Sequence, residues 1–530
     1  MNRAAPGTGS TGQTRRQPWL LGAAGVLVLA AGLRLALLWG LDLSDLPGPG
    51  GVQFLALALD PEPADLPLPA LVFRWAIRWL PMSPTGAVRT LVALCSLLSI
   101  AGAMAAAWAL LGRHAAIITG LLLACWAQHI QQALLLGMDA PACALAWAGL
   151  GLAWWGARCK LPGLPMALFG GFLVALGAAL KPTALPVLAL LLLVPLLAGR
   201  PWWRPALASV ATALGGLAGH AAVAPFATSA PDVQGSLPAI GDVAAGWMRL
   251  LALRQGEPEG ALLELMVLGA VAAAAPGKGW VRRVALAVLT AALLGYACHS
   301  LGDWLRFRYL VPAALGVFVL AADGLGRAVR WRARLQAVGW ALVAVVAALL
   351  TLDALAFHQA WSDARVPAVG TAPHRLPTAP VAWSWRYRDL FWDSSLSTQG
   401  AAGLMALVRQ APPAGVAVLP LQDGRHAHAE AAAAMAGLPL ILLEEQRCCP
   451  SGLHAVLCAR ETVRALDAAG VLVVLLPSGG DPVRIPRESF AWARSLQAAA
   501  SSALPLQQPD AWWATLQGQG QDGPPPCTGP

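Results

Sequence analysis

The stretch AVRTLVALCSLLSIAGAMAAAWALL, Ala87–Leu111, decides the fold. Its one charged residue is Arg89, close to its start. As an α-helix it would span ~37 Å, enough to cross a hydrocarbon core of about 30 Å. A helix that is apolar on every side has no face for water, so it belongs inside a bilayer or deep in a bundle. Working outward, similar runs lie near 19–40, 115–136, 140–157, 164–180, 182–199, 205–228, 260–276, 284–301, 309–326 and 336–357. Together with 87–111 they predict about eleven membrane-spanning helices, joined by Pro- and Gly-rich turns. Segment 19–40 lacks a small-residue cleavage site and reads as a retained first helix.

Composition agrees. Of 530 residues 57% are hydrophobic and 12% charged, and the mean hydropathy is +0.61. A soluble domain carries roughly 25% charged residues. A water-soluble globule, a disordered chain, collagen and a coiled coil are therefore excluded. The net charge of +9 might point to nucleic acid, but dense basic runs with interleaved aromatics are absent, so no nucleic-acid partner is read.

The basic residues instead report orientation. With the N-terminus inside, the inner segments hold Arg3, Arg15, Arg16, Arg113, Arg158, Lys160, Arg200, Arg204, Lys278, Arg282, Arg283, Arg327, Arg330, Arg332 and Arg334. No acidic residue lies in the same loops. The opposite side collects Asp42, Asp45, Asp60, Glu62, Asp65, Asp139, Asp232, Asp242, Glu257, Glu259 and Asp303. An odd number of spans then places the C-terminal region outside. The expected layout is a cytoplasmic tail 1–18, a transmembrane domain 19–357 with an outer loop 41–86, and an outer domain 358–530 with a frayed tail from about 517.

The outer domain has 12 Arg against 13 Asp and Glu. Gly415-Val-Ala-Val-Leu-Pro, Leu438-Pro-Leu-Ile-Leu-Leu and Val471-Leu-Val-Val-Leu-Leu read as short buried strands. Helical stretches near 401–410, 426–436, 461–469 and 488–502 surround them, so a small α/β domain is expected. Cys448, Cys449, Cys458 and Cys527 fall there, and a disulfide from Cys448 or Cys449 to Cys458 is sterically open. His426, His428 and Glu430 are not a metal set, because i and i+2 on a helix do not share a face. Trp383, Trp385, Tyr387 and Trp392 read as packing of this domain on the membrane.

Several stretches, in order, resemble the integral-membrane glycosyltransferases of the GT-C class, in particular the glycosyltransferase family 39 and protein-mannosyltransferase-like group. They are Leu33-Arg-Leu, Pro67-Leu-Pro-Ala-Leu-Val-Phe-Arg-Trp-Ala-Ile-Arg-Trp-Leu, Val88-Arg-Thr-Leu, Gly137-Met-Asp-Ala-Pro, Ala179-Leu-Lys-Pro-Thr-Ala-Leu-Pro and Arg306-Phe-Arg-Tyr-Leu-Val-Pro-Ala. The resemblance covers roughly residues 30–325 and gathers these motifs on the outer face. It implies a bacterial inner-membrane enzyme with a periplasmic site, moving a sugar from a polyprenyl-phosphate carrier to an acceptor lipid, glycan or protein.

Such a transfer needs a carboxylate as general base and cations to stabilise the departing phosphate. It also needs a groove open to the bilayer for the lipid tail. By the resemblance, Asp45, Asp42 and Asp139 are the acid positions. Lys181, Arg306, Arg308 and Arg89 contact the phosphate, and Tyr309, His299 and Gln53 contact acceptor or sugar. No cofactor is required by these residues, and a divalent cation is left open. The family's first-loop acid falls where this chain has Gly50 or Gly51, which keeps a non-catalytic protein of the same fold as an alternative.

Plainer roles stand beside each assignment. Asp42 and Asp45 can be solvated loop acids, and Asp139 can N-cap a helix before Pro141. Lys181, the one lysine on the outer half, sits in an apolar stretch where a charge is costly and functional by default, or snorkels as an anchor. Arg306 and Arg308 can pair with Asp303, Arg89 can anchor the interface, and Arg74 and Arg78 suit headgroups. A transporter would show polar residues at mid-depth and an inverted repeat; neither is evident in the sequence.

Overall fold

The computed structural model describes residues 17–39, 49–59, 66–134, 136–159, 163–197, 203–224, 241–248, 260–277, 279–301, 307–330 and 336–363, together with strand segments and a few single positions between 408 and 484. The helices are α1 (Gln17–Trp39), α2 (Pro49–Leu59), α3 (Leu68–Trp79), α4 (Pro84–Leu111), α5 (Arg113–Cys125), α6 (Ala127–Leu134), α7 (Asp139–Arg158) and α8 (Leu164–Leu180). They continue with α9 (Pro182–Leu197), α10 (Trp203–Val223), α11 (241–248), α12 (Gly260–Ala274), α13 (Trp280–Leu301), α14 (Phe307–Arg330) and α15 (Gln336–Asp363).

Among the described residues five helices are long and apolar enough to cross a membrane: Trp19–Ala36, Pro84–Leu111, Trp203–Val223, Trp280–Ser300 and Leu310–Arg327. Shorter apolar helices lie between them. Two expected spans are interrupted instead of continuous α-helices. The run 115–136 is two helices, because the chain extends at Trp126 (φ −75°, ψ 121°) and restarts as α6. The run 182–199 alternates short 3₁₀ and α turns through α9, where Pro182, Pro186 and Pro195 each remove a backbone donor. The segment 41–86, expected as an outer loop, also contains a helix, α2, that its sequence did not announce. In α3 the expected amphipathic pattern appears, with Ala70, Phe73 and Ala76 buried while Trp75 and Trp79 are exposed.

Glycines set how α7 and α8 meet. Gly149 faces Gly170, Gly156 faces Gly163, and Gly177 faces Ala142. A Cβ on Gly170 would lie 2.5 Å from both the Gly149 carbonyl oxygen and the Ala153 nitrogen, and one on Gly177 2.7 Å from the Ala142 oxygen. Small residues every seventh position on both helices therefore let two antiparallel backbones touch, as membrane helices without a hydrophobic drive between them require. Helix α4 runs parallel to α7: Gly102 meets the Trp147–Ala148 backbone, and Gly151 meets Gly102 and Ala105. Helix α14 runs antiparallel to α5, with Phe318 on Trp126 (ring centroids 4.5 Å) and Gly326 beside His114 and Ile118. The starts of α4, α7 and α14 consequently lie at one end of the bundle.

Four strands form a sheet of order β2-β1-β3-β4: β1 (Val416–Pro420), β2 (Leu440–Leu442), β3 (Leu472–Leu476) and β4 (Val483–Arg484). The first three are parallel, with Val416 opposite Leu440 and Leu472, and β4 is antiparallel to β3. β1, β2 and β3 fall within the three stretches expected as strands, and β4 is an addition to them. Most of the flanking helical stretches, the four outer cysteines, the Trp383–Trp392 cluster and His426–Glu430 lie outside the described residues.

Candidate functional site

The seven-residue register of α7 against α8 continues to their ends, and there it sets Asp139 beside Lys181. Asp139 is the first residue of α7 and Lys181 caps the last turn of α8, its N–H donating to the Gly177 carbonyl at 3.2 Å. Lys181 Nζ lies 2.6 Å from Asp139 Oδ1, with the side chains 24% and 11% exposed. The N-cap role for Asp139 is thus overturned: Met138 holds the cap position, with no side-chain cap bond, and the carboxylate turns to the lysine. Both ions also sit at the favourable pole of their own helix, the carboxylate at an N-terminus and the ammonium at a C-terminus.

Around this pair the bundle supplies a floor and walls. Trp147, two turns below Asp139, donates from Nε1 to the Pro312 carbonyl at 2.9 Å and ties α14 to α7. The turn Pro182–Ala184 packs against α14, so Lys181 lies beside the helix that Phe307 and Arg308 begin. Arg89 is buried in the early turns of α4, at the same end of the bundle. Gly51, near the start of α2, is buried, and a Cβ there would run into the Leu136 carbonyl just before Asp139. Gly51, one of the two glycines where the resemblance would put a first-loop acid, is therefore a backbone-to-backbone contact with no room for a side chain.

The remaining assigned residues are placed as follows. Asp42, Asp45 and Arg306 lie outside the described residues, as does Asp303. Gln53, Arg308 and Tyr309 are helical. His299, near the end of α13, faces Asp242 of α11, with Nε2 3.5 Å from Oδ1. Arg74 is not reserved for lipid headgroups: its Nε donates to the Ala58 carbonyl at 3.0 Å and closes the end of α2.

The motif Leu33-Arg-Leu carries Arg34, but nothing in it announces the buried polar cluster that Arg34 forms. Arg34, 1% exposed, donates from Nε to Ser96 Oγ (2.8 Å) and from Nη1 to the carbonyls of Ala30 (3.0 Å) and Ala124 (3.4 Å). Its Nη2 lies 2.7 Å from His129 Nδ1, and His129 Nε2 lies 2.7 Å from Ser99 Oγ. Since guanidinium can only donate, Nδ1 accepts, and Nε2 carries the proton toward Ser99, whose hydroxyl donates to the Ser96 carbonyl at 2.8 Å. The signal in the sequence was the set of polar residues interrupting apolar runs.

A cavity of about 380 Å³, almost wholly apolar, opens among α11, α12, α13 and α14 and is lined by Trp247, Met266, Ala287, Thr290, Leu294 and Val317. Among the described residues no group of His, Cys, Asp and Glu is arranged to hold a metal ion.

Fold and site define a class, a multi-pass membrane protein with an acid–base ion pair at one end of its helical bundle. No family model matches the chain, and no curated protein matches it. Among solved structures it is similar to ArnT from Cupriavidus metallidurans bound to undecaprenyl phosphate, at 14% identity over 86% of this chain and 92% of that one, with a TM-score of 0.48. It is also similar to the oligosaccharyltransferase AglB from Archaeoglobus fulgidus in complex with an inhibitory peptide and a dolichol-phosphate, at 12% identity over 86% and 69%, with a TM-score of 0.45.

Proposed function

We propose that the chain is an integral-membrane glycosyltransferase that takes a hexosyl or pentosyl group from a polyprenyl-phosphate carrier and passes it to an acceptor at the outer face of a bacterial inner membrane. The observation that carries this reading is the Asp139–Lys181 pair at 2.6 Å, because it joins two separate motifs of the family resemblance. In the proposed reaction the acceptor hydroxyl attacks the anomeric carbon and the bond from that carbon to the phosphate oxygen breaks. The proton passes to a carboxylate, and the polyprenyl phosphate leaves carrying the electron pair. Lys181 exchanges Asp139 for the arriving phosphate, and that exchange frees the carboxylate to accept the proton. In this reading Arg308, Arg306 and Arg89 add positive charge around the phosphate, and Asp42 and Asp45 are the further acid positions. His299, Tyr309 and Gln53 meet sugar or acceptor. The apolar cavity suits a lipid chain. Any divalent cation would have to come to these carboxylates. In this reading eleven spans put the N-terminus in the cytoplasm and the C-terminal α/β domain in the periplasm.

One observation favours a second reading. Gly51, one of the two glycines where the resemblance would put an acid, leaves no room for a side chain, as suits a protein that keeps the fold without catalysis. Incubating purified protein with labelled polyprenyl-phosphate sugars separates the two. The enzyme transfers label, and Lys181→Ala and Asp139→Asn lose it. A non-catalytic carrier-binding protein retains the lipid without turnover. Neither transfer nor binding with any carrier would sink the enzymatic proposal.

A further inference from the structure

At the end of the bundle opposite the Asp139–Lys181 pair, three tryptophans stand in a row. Trp19 opens α1, Trp108 closes α4 and Trp155 closes α7. Their ring centroids are 4.0 Å apart from Trp19 to Trp108 and 4.2 Å from Trp108 to Trp155. Two exposed arginines flank the middle ring. Arg113 holds its guanidinium carbon 6.0 Å from the Trp108 centroid. Arg158 donates from Nη1 to the carbonyls of Trp108 (3.1 Å) and Ala109 (2.7 Å). Arg282, whose Nε donates to the Leu196 carbonyl at 3.1 Å, lies within electrostatic reach of Arg158.

Among the described residues the charge here is uncompensated. Among the described residues no carboxylate pairs with Arg113, Arg158 or Arg282, whereas Arg283 and Arg327 share Asp323 nearby. Arg158 Nε and Nη2, and all the donors of Arg113, make no hydrogen bond to described residues. Indole rings in a row mark the depth where hydrocarbon meets headgroups. Guanidinium forks at that depth fit a phosphate, which accepts two parallel N–H bonds.

We propose that Arg113 and Arg158, framed by the Trp19–Trp108–Trp155 row, bind the phosphodiester headgroup of an anionic phospholipid of the adjoining leaflet. Like charges gathered at one helix cluster repel one another, and a bound anion relieves that repulsion. The lipid therefore stabilises the junction of α1, α4, α5 and α7. This assignment is independent of any transferase activity.

The test uses the full chain, purified in neutral detergent and stripped of lipid, then titrated with phosphatidylglycerol, phosphatidylcholine or inorganic phosphate. Native mass spectrometry counts retained lipid on folded chains, and thermal unfolding follows stability. Phosphatidylglycerol should be retained and raise Tm; phosphatidylcholine and inorganic phosphate should do neither. Arg113→Gln, which removes no hydrogen bond to described residues, should weaken phosphatidylglycerol retention about tenfold, the loss of one charge-assisted contact. His220→Gln, at an exposed side chain in the last turn of α10, should leave it unchanged. Equal retention of phosphatidylcholine would overturn the anionic assignment, and an equal response to inorganic phosphate would make this a free-anion site. Unaltered retention in Arg113→Gln would remove the arginine row from the site.

Discussion

Asp139 and Lys181 are each held twice, by one another and by the dipole of the helix each belongs to. Removing one of them strands the other charge in a largely buried place, which costs more than removing both. Asp139→Ala and Lys181→Met should therefore each destabilise by about 2 kcal/mol, less than a fully buried pair because Lys181 keeps some solvent. The double variant should recover more than half of the summed loss, as read from thermal unfolding of all four proteins. Strictly additive losses would mean that the two side chains are not coupled. Arg34 is a sharper case, since four groups depend on one guanidinium. Arg34→Met should cost about 3 kcal/mol through the orphaned His129, Ser96 and Ala124 partners, and Arg34→Lys should restore only part of it, because an ammonium cannot span the fork. A lysine variant as stable as the native protein would contradict that geometry. The two pairs also differ in legibility. Asp139 and Lys181 stood out as charges in apolar sequence beside prolines, whereas Arg34 meets a histidine 95 positions away, a pairing set by tertiary packing alone.

The same chemistry recurs between elements. Arginine side chains seek the last carbonyls of neighbouring helices, which have no partner within their own helix. Arg34 reaches Ala124 at the end of α5, Arg74 reaches Ala58 at the end of α2, and Arg158 reaches Ala109 at the end of α4. Arg282 reaches Leu196 at the end of α9, and Arg283 reaches Ala275 just past α12. This explains why α5 can stop at Trp126 inside the bundle with neither Gly nor Pro to announce it: a cation from α1 satisfies the exposed carbonyl. Periodicity could not reveal that break, since the apolar pattern runs on through it. In α9 the prolines are visible in the sequence, but the apolar run through them also fits a continuous helix. The glycine spacing is the strongest element-scale device. Gly170→Leu should push α8 off α7, since even a Cβ would sit 2.5 Å from the Gly149 oxygen, with a loss of about 3 kcal/mol or failure to fold. Gly25→Ala, at a position with nothing within 4 Å, is the matched control and should be neutral. Equal effects in the two variants would deny the close α7–α8 contact.

On the scale of the whole molecule the bundle has two unlike ends. One gathers Asp139, Lys181, Arg89 and the start of α14, and the other gathers Arg113, Arg158, Arg282 and the tryptophan row. The packing directions of α4, α5, α7 and α14 set these ends apart without any reference to a membrane, while lysine and arginine counts lead us to expect one of them in the cytoplasm. The two arguments are independent, and a single labelling experiment joins them. Cys159 is exposed immediately after Arg158, and Leu185 is exposed four residues beyond Lys181. A variant that keeps Cys159 as its sole cysteine should resist a membrane-impermeant maleimide in intact cells and react in inverted vesicles. A cysteine-free background carrying Leu185→Cys should behave the opposite way. Labelling of both from one side would mean that α7 and α8 do not carry these residues to opposite faces. Labelling with the sides exchanged would keep the bundle and reverse its orientation, which would move the ion pair to the cytoplasm and exclude a periplasmic reaction.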